Sequence, residues 1–199
     1  VLEGTNVLEV AMKTRKGGFD DKVVERTAAM ISVLPKRTAE VTLEFEVNAL
    51  TEVALRALSP GINDPYTARA CIHRLGTGLR ELLDHPGQPP VTRDGEGRIR
   101  ICQHQQPFGY YCSLALRPLM NAGRDHAEVL SEIADMLGSL GGMAKRQDRR
   151  DEVRDLLDAL GQTVERSDLI KADQAWVKGR IEAARYNSNA DYFIQPSNS

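Results

Sequence analysis

Six polar residues that could bind an anion or a polar headgroup lie within one short stretch that joins two helix-like runs. The six are Arg56, Ser59, Asn63, Asp64, Thr67 and Arg69. The free backbone N–H groups at the start of the second helix, together with the arginines, could receive a negatively charged group. In the structural alternative, which we favour, Asp64 accepts the N–H groups of its own helix, Asn63 closes the turn, and the arginines pair with nearby carboxylates.

The backbone chemistry of this stretch predicts a rigid junction with a defined shape. Pro60 excludes continued helix for Ser59, and Gly61 can take a positive φ angle at little cost. Asp64 followed by Pro65 is typical of an N-cap residue with proline at the first helical position. This junction would hold the polar groups at the start of the second helix.

Patterns for catalysis or metal binding are weak elsewhere in the chain. The four histidines lack HxxxH, HxH or HExxH spacing; they are His73, His85, His104 and His126. Cys102 and His104 would face one side of a strand, but two ligands fall short of a zinc site. A hydrolase using Asp64 with His73 or His126 is the least favoured alternative, because nine residues place Asp64 and His73 about 13 Å apart along a helix. We predict no catalytic residues, no metal and no cofactor.

Cysteine and glycine positions favour structural roles. Cys71, Cys102 and Cys112 form an odd set without CxxC spacing, which predicts reduced thiols rather than a disulfide framework. No G-x-S-x-G sequence is present to hold a serine nucleophile. Gly76 and Gly78 lie inside a helical pattern without a preceding strand, so they predict close helix packing rather than a phosphate loop.

Composition bounds the class of protein. The 199 residues can build one well-buried core or two small ones. A formal net charge of −2 argues against broad electrostatic binding to nucleic acid or to anionic lipid, and leaves a local basic patch open. No run approaches the roughly 20 apolar residues of a membrane span, and the first residues lack the order of a signal peptide. The start at Val1, without methionine, fits a fragment of a longer protein.

Apolar periodicity predicts a mainly α fold, a helical bundle of about six or seven helices. We expect a short N-terminal β segment, the tail of a small β unit, over residues 1–18 and a helical domain over residues 19–185. One small β-hairpin is predicted near residues 91–103, where alternation surrounds an Asp-Gly turn. Residues 186–199 lack periodicity, which predicts a loose C-terminal tail.

Two local features concern the last helices of the bundle. Ser167 can cap the final helix. Three glycines lie in the second of the four helices predicted after Pro107, and each weakens that helix by about 1 kcal/mol relative to alanine, so it is predicted to break early. These glycines are Gly138, Gly141 and Gly142.

The junction sequence RALSPGINDPYTA resembles the domain-of-unknown-function family 2254, a group of predicted bacterial membrane proteins, in the soluble C-terminal portion. Residues at matching places include Arg37-Thr38, Phe45, Leu50 and the run from Ala54 to Pro60. The match is placed from about Leu34 onward. Departures occur at Val41-Thr42, Glu46 and Glu52, where the family has Gln-Asp, glycine and aspartate. The resemblance implies transmembrane helices on the N-terminal side of this chain, and it implies no biochemical activity.

From the resemblance we expect a cytoplasm-facing domain of a bacterial inner-membrane protein. The lack of a catalytic constellation favours a non-enzymatic role in assembly or regulation of the membrane part, and symmetric membrane assemblies favour a homo-oligomer. The alternative is a sensor that binds a small anion or nucleotide through Arg56, Asn63, Asp64 and Arg69. Such a sensor would control a membrane channel or transporter.

Overall fold

The computed structural model describes residues 21, 22, 25, 43–84, 91–93, 95–102 and 106–189. The β segment expected at residues 1–18 lies outside these ranges, as do His85 and His104. The chain divides into two compact units, one holding the described residues from 91 to 102 together with residues 21, 22 and 25, the other holding the described residues from 43 to 84 and from 106 onward.

The larger unit is helical, which confirms the mainly α prediction. Among the described residues it contains six helices: α1 (Leu43–Ala57), α2 (Pro65–Asp84), α3 (Phe108–Ala122), α4 (Ala127–Met143), α5 (Gln147–Glu165) and α6 (Lys171–Asn189). Each helix has apolar residues at spacings of three and four, and these residues form one hydrophobic core. The apolar face of each helix therefore accounts for its place in the bundle.

Within the other unit, β1 (Val91–Arg93) and β2 (Ile99–Cys102) pair antiparallel, with Val91 opposite Cys102. The register shifts at Arg93, as in a β-bulge. Gly97 turns the chain with a φ of 78°, and the Arg93 guanidinium donates to the Gly97 carbonyl at 2.8 Å. These strands occupy the segment where alternation predicted a hairpin.

Helix α4 is the most deeply buried element of the helical unit and packs against α2, α3, α5 and α6. Its side chains at Leu130, Ile133 and Leu137 are inaccessible to solvent. A helix with an apolar surface on most sides gains its stability from its neighbours rather than from intrinsic propensity. The effect of the glycines in α4 therefore depends on its packing as well as on helix propensity.

The prediction that α4 breaks early at its glycines is wrong, because the helix continues to Met143. A Cβ atom on Gly138 would lie 2.8 Å from the Cα and Cβ atoms of Ala184 in α6, and one on Gly141 would lie 2.7 Å from the Cβ of Ser188. The backbones of α4 and α6 therefore approach closely. The resulting contacts offset the low helix propensity of glycine.

The prediction of a loose tail from residue 186 is wrong for residues 186–189, because α6 runs through Tyr186 to Asn189. Ser188 is buried against Gly141, and its hydroxyl donates to the Ala184 carbonyl at 2.9 Å. Packing on α4 thus extends a helix whose last turn has little apolar periodicity of its own. Residues 190–199 lie outside the described ranges.

The capping role predicted for Ser167 is also wrong. Its hydroxyl donates to the Val164 carbonyl at 2.7 Å, at the end of α5, whereas α6 begins only at Lys171. A serine hydroxyl can satisfy a late helical carbonyl as readily as an early N–H group, and spacing alone does not distinguish the two roles.

Candidate functional site

The junction between α1 and α2, called the elbow and comprising residues 58–64, is held by its own backbone. The Asp64 N–H donates to the Ala57 carbonyl at 2.8 Å, and the Asn63 N–H donates to the Ser59 carbonyl at 2.8 Å. The Ser59 hydroxyl donates to the Arg56 carbonyl at 2.7 Å. These bonds satisfy carbonyls at the end of α1 and set the direction in which α2 starts.

The positive φ angle of the elbow belongs to Asn63, at 48°, and not to Gly61 as the sequence suggested. Asparagine enters the left-handed region more readily than other residues with a Cβ atom. A Cβ atom added to Gly61 would meet nothing within 4 Å. The backbone role of Asn63 is therefore to turn the chain into α2.

Asp64 caps α2, which confirms the prediction for this residue. Its carboxylate accepts the Thr67 N–H at 3.1 Å through Oδ1 and the Thr67 hydroxyl at 2.6 Å through Oδ2. Hydrogen bonds from the Thr67 hydroxyl and N–H lower the pKa of Asp64 below its usual value. The carboxylate of Asp64 thus occupies the position at the helix start where an external anion would bind.

The two candidate arginines lie in different environments. Arg56 pairs with Glu52 at 3.5 Å, one helical turn earlier, and both side chains are more than two-thirds exposed. Such a pair contributes little to stability. Arg69 instead reaches α4, where its Nε and Nη2 atoms donate to Oε2 of Glu132 at 3.0 and 2.9 Å.

We call Arg69, His73 and Glu132 the clamp, because they join α2 to α4. The Nε2 atom of His73 lies 2.9 Å from Oε1 of Glu132, so both oxygens of this carboxylate have partners. Glu132 is only 13% exposed at its side chain. Arg69 and His73 are four residues apart and share a helix face, but no pattern in the sequence indicates that residue 132 meets them.

The elbow and clamp therefore form a joint in which the chain partners its own polar groups. Asp64 and Thr67 meet each other, Ser59 and Arg56 meet through the backbone, and Arg69 turns to Glu132. The side chain of Asn63 is exposed. This arrangement agrees with the structural alternative considered for these six residues.

Groups suited to catalysis are separated in space. Asp64 binds Thr67, whereas the imidazole of His73 binds Glu132, and no hydroxyl or thiol in the described ranges hydrogen-bonds that imidazole. Cys71 and Cys112 are buried, and burial raises the pKa of both thiols. A thiol with a raised pKa is a poor nucleophile at neutral pH.

The described residues bear on two further roles, metal binding and membrane crossing. Within that part of the chain, no three His, Cys, Asp or Glu side chains are grouped as a metal ion would require. None of the helices that the structure describes combines the length and apolar character needed to cross a bilayer.

Comparison with known proteins places residues 1–139 in a family model described as "Predicted membrane protein (DUF2254)". The match thus begins well before Leu34. Similar proteins include an uncharacterised protein of Mycobacterium bovis and one of Mycobacterium tuberculosis, each 26% identical over 149 residues. The aligned part covers 75% of this chain but only 29% of either relative. No solved structure matches the chain.

Proposed function

Because this chain belongs to the DUF2254 family of predicted membrane proteins, we propose that it is a non-enzymatic domain serving assembly or regulation of a larger membrane protein. The domain faces the cytoplasm at a bacterial inner membrane. Transmembrane helices on its N-terminal side attach it there. The chain aligns with only 29% of the length of each relative, which supports the proposal that this domain belongs to a larger protein.

The observation that carries the non-enzymatic role is the internal pairing of polar groups at the elbow and clamp. A catalytic or ligand-binding residue needs hydrogen-bonding capacity left for its substrate. Here Asp64, Thr67, Arg69 and Glu132 already use theirs on one another or on the backbone. Such groups fix the angle between α1 and α2, as a domain that transmits or resists movement requires.

The sensor alternative would place a small anion or nucleotide at the elbow, acting on a membrane channel or transporter. Binding there requires Asp64 to release the N–H group of Thr67 and Arg69 to release Glu132. The hydrolase alternative requires Asp64 and a histidine to meet, and His73 is engaged by Glu132. Both alternatives therefore require hydrogen bonds within the chain to break before a ligand or substrate is bound.

Membrane attachment and orientation can be tested on the full-length gene product carrying a C-terminal tag. We expect the tag to remain with membranes after alkaline extraction and to be digested in inside-out vesicles but protected in intact spheroplasts. Release of the tagged protein by alkali, or digestion from outside the cell, would refute the proposal.

The assembly role includes homo-oligomer formation, which symmetric membrane proteins favour. Chemical crosslinking of the detergent-purified full-length protein should give a ladder ending at one defined size. We expect an Asp64→Ala, Glu132→Gln double variant, altered at elbow and clamp, to shorten that ladder. A purely monomeric protein across a wide concentration range would contradict this role.

A further inference from the structure

We propose that a recess between α3 and α5 binds a phosphate-type oxyanion through Arg117, Arg124 and Arg166. The recess measures about 260 Å³ and is completed by Met120, Asn121, Ala159, Gln162 and Thr163. No carboxylate lines it. This inference goes beyond the assembly role and does not depend on it.

The recess is built from one face of each helix. Arg117, Asn121 and Arg124 follow one another at spacings of four and three along α3 and just beyond its end, so they lie on one side. Ala159, Gln162, Thr163 and Arg166 repeat that spacing along α5 and at its C-cap. The C-terminal halves of the two helices thus bring three guanidinium groups and two amides around one space.

These guanidinium groups have donors to spare. Those of Arg117 and Arg166 make no ion pair or hydrogen bond with any residue that the structure describes. Arg124 uses only its Nε atom, which donates to Asp125 at 3.2 Å. Asp125 also accepts the Asp168 N–H at 2.9 Å, so this carboxylate joins Arg124 to the connection between α5 and α6.

Capping of the helix ends does not account for the three arginines. Arginine side chains often donate to the last carbonyls of a helix. Arg150, in the first turn of α5, does so at the end of α4, where it donates to the Ala144 carbonyl at 2.8 Å. Among the described hydrogen bonds, Arg117, Arg124 and Arg166 make no such contact through their side chains. Arg117 and Arg166 are like charges without a carboxylate partner among the described residues, and a bound anion would relieve the repulsion between them.

Contrast with the opposite end of the same groove supports an anion specifically. There Glu152 and Asp155 join Arg117 around a second recess lined by Tyr110 and Ser113. Glu152 pairs with Arg149 at 3.2 Å rather than with Arg117. The groove between α3 and α5 thus has an acidic part and a basic part, and Arg117 stands between them.

The size and donors of the basic recess indicate the class of ligand. Its volume lies just below the range of about 300–1,000 Å³ found for drug-sized ligands, which suits a phosphate, pyrophosphate or phosphomonoester. Planar guanidinium groups bind phosphate oxygens through paired N–H donors. The same group could come from a soluble phosphate compound or from the headgroup of an acidic lipid.

The test uses the full 199-residue chain in low-salt buffer. Inorganic pyrophosphate is titrated calorimetrically, and flotation compares phosphatidylcholine vesicles with and without phosphatidic acid. Arg117→Gln with Arg166→Gln should weaken binding by about tenfold or more. The matched control, Arg74→Gln with Arg80→Gln, removes the same charge from exposed positions of α2 outside both the recess and the elbow, and should change binding by less than about twofold.

Each outcome decides the matter. Pyrophosphate binding lost only in the recess variant supports a soluble phosphate ligand, and flotation with phosphatidic acid lost only in that variant supports a lipid headgroup. Absence of binding to both probes overturns the proposal, as does equal weakening in the control pair. Single variants at Arg117 and Arg166 are measured as well, so misfolding of the double variant does not remove the test.

Discussion

Two helix contacts within the helical unit differ in what fills them. Between α4 and α6, Gly138 and Gly141 let the two backbones approach closely, and Ala184 and Ser188 fill the space where a Cβ atom on either glycine would lie. Between the C-terminal halves of α3 and α5, long polar side chains surround a recess of about 260 Å³. We call these the tight contact and the open contact.

The difference separates stability from binding capacity. At the tight contact, close packing leaves no room for another molecule, and dispersion between the backbones stabilises the fold. At the open contact, guanidinium groups keep donors that no described residue satisfies. The clamp and elbow also leave little capacity for a ligand, because their hydrogen-bond donors and acceptors are paired with each other within the chain.

The largest effect is expected from Gly138→Val, which breaks the tight contact. Its side chain would meet the backbone of Ala184, which cannot rotate away, so unfolding free energy should fall by about 3 kcal/mol or more. Urea denaturation followed by circular dichroism measures the change. The control is Gly179→Ala in α6, where a Cβ meets nothing within 4 Å, and it should stabilise by about 0.5–1 kcal/mol.

A smaller loss is expected from Glu132→Gln, which tests whether the clamp matches the tight contact. Removing the charge weakens the bonds from Arg69 and His73, and unfolding free energy should fall by about 1–2 kcal/mol. Glu52→Gln removes the carboxylate of an exposed pair and should change it by less than about 0.5 kcal/mol. Equal effects of the two variants would show that the clamp is an ordinary surface pair.

Asp64→Ala should have a modest effect, lowering the melting temperature at neutral pH by about 2–4 °C through loss of the cap. The folded state lowers the pKa of Asp64, so its contribution is present above the usual value of 3.8 and is lost as pH falls through the lower folded pKa. The difference between wild type and variant should therefore shrink in acid. Asp64→Asn, which keeps a capping oxygen, should retain most of the melting temperature at neutral pH.

The smallest stability change is expected where the open contact is altered. Arg117→Gln with Arg166→Gln removes like charges that have no partners among the described residues, so unfolding free energy without added anion should shift by less than about 0.5 kcal/mol. Urea denaturation in phosphate-free buffer measures it. A loss beyond about 1 kcal/mol would show that these arginines support the fold, and the contrast between the two contacts would fail.

Much of the local structure was predictable because it depends on neighbours three and four residues apart. Asp64 before Pro65 predicted a cap, and Thr67 three residues later supplied both of its hydrogen bonds. Close helix packing, predicted for Gly76 and Gly78, is confirmed at Gly76, where a Cβ atom would lie 2.8 Å from Cγ of Met136 in α4. It is wrong for Gly78, where a Cβ atom would meet nothing within 4 Å. The structural alternative for the six junction residues follows from the same short-range chemistry.

The predictions were wrong where contacts with another part of the chain decide the role of a residue. Glycine at position 138 weakens an isolated helix, but against Ala184 it permits a contact that no larger residue allows. The positive φ angle lies at Asn63, whereas the sequence predicts it at Gly61. Ser188 was placed in a loose tail because its partner, Gly141, is distant in sequence.

By itself, the sequence determined a mainly helical chain, the cap on α2 and membership of a family described as predicted membrane proteins. Only the tertiary structure decided that Glu132 holds Arg69 and His73, and that arginines from two helices surround one recess. Helix formation and capping depend on short-range spacing within the chain. Which polar groups meet depends instead on how whole helices pack, and many residues far apart in sequence fix that packing together.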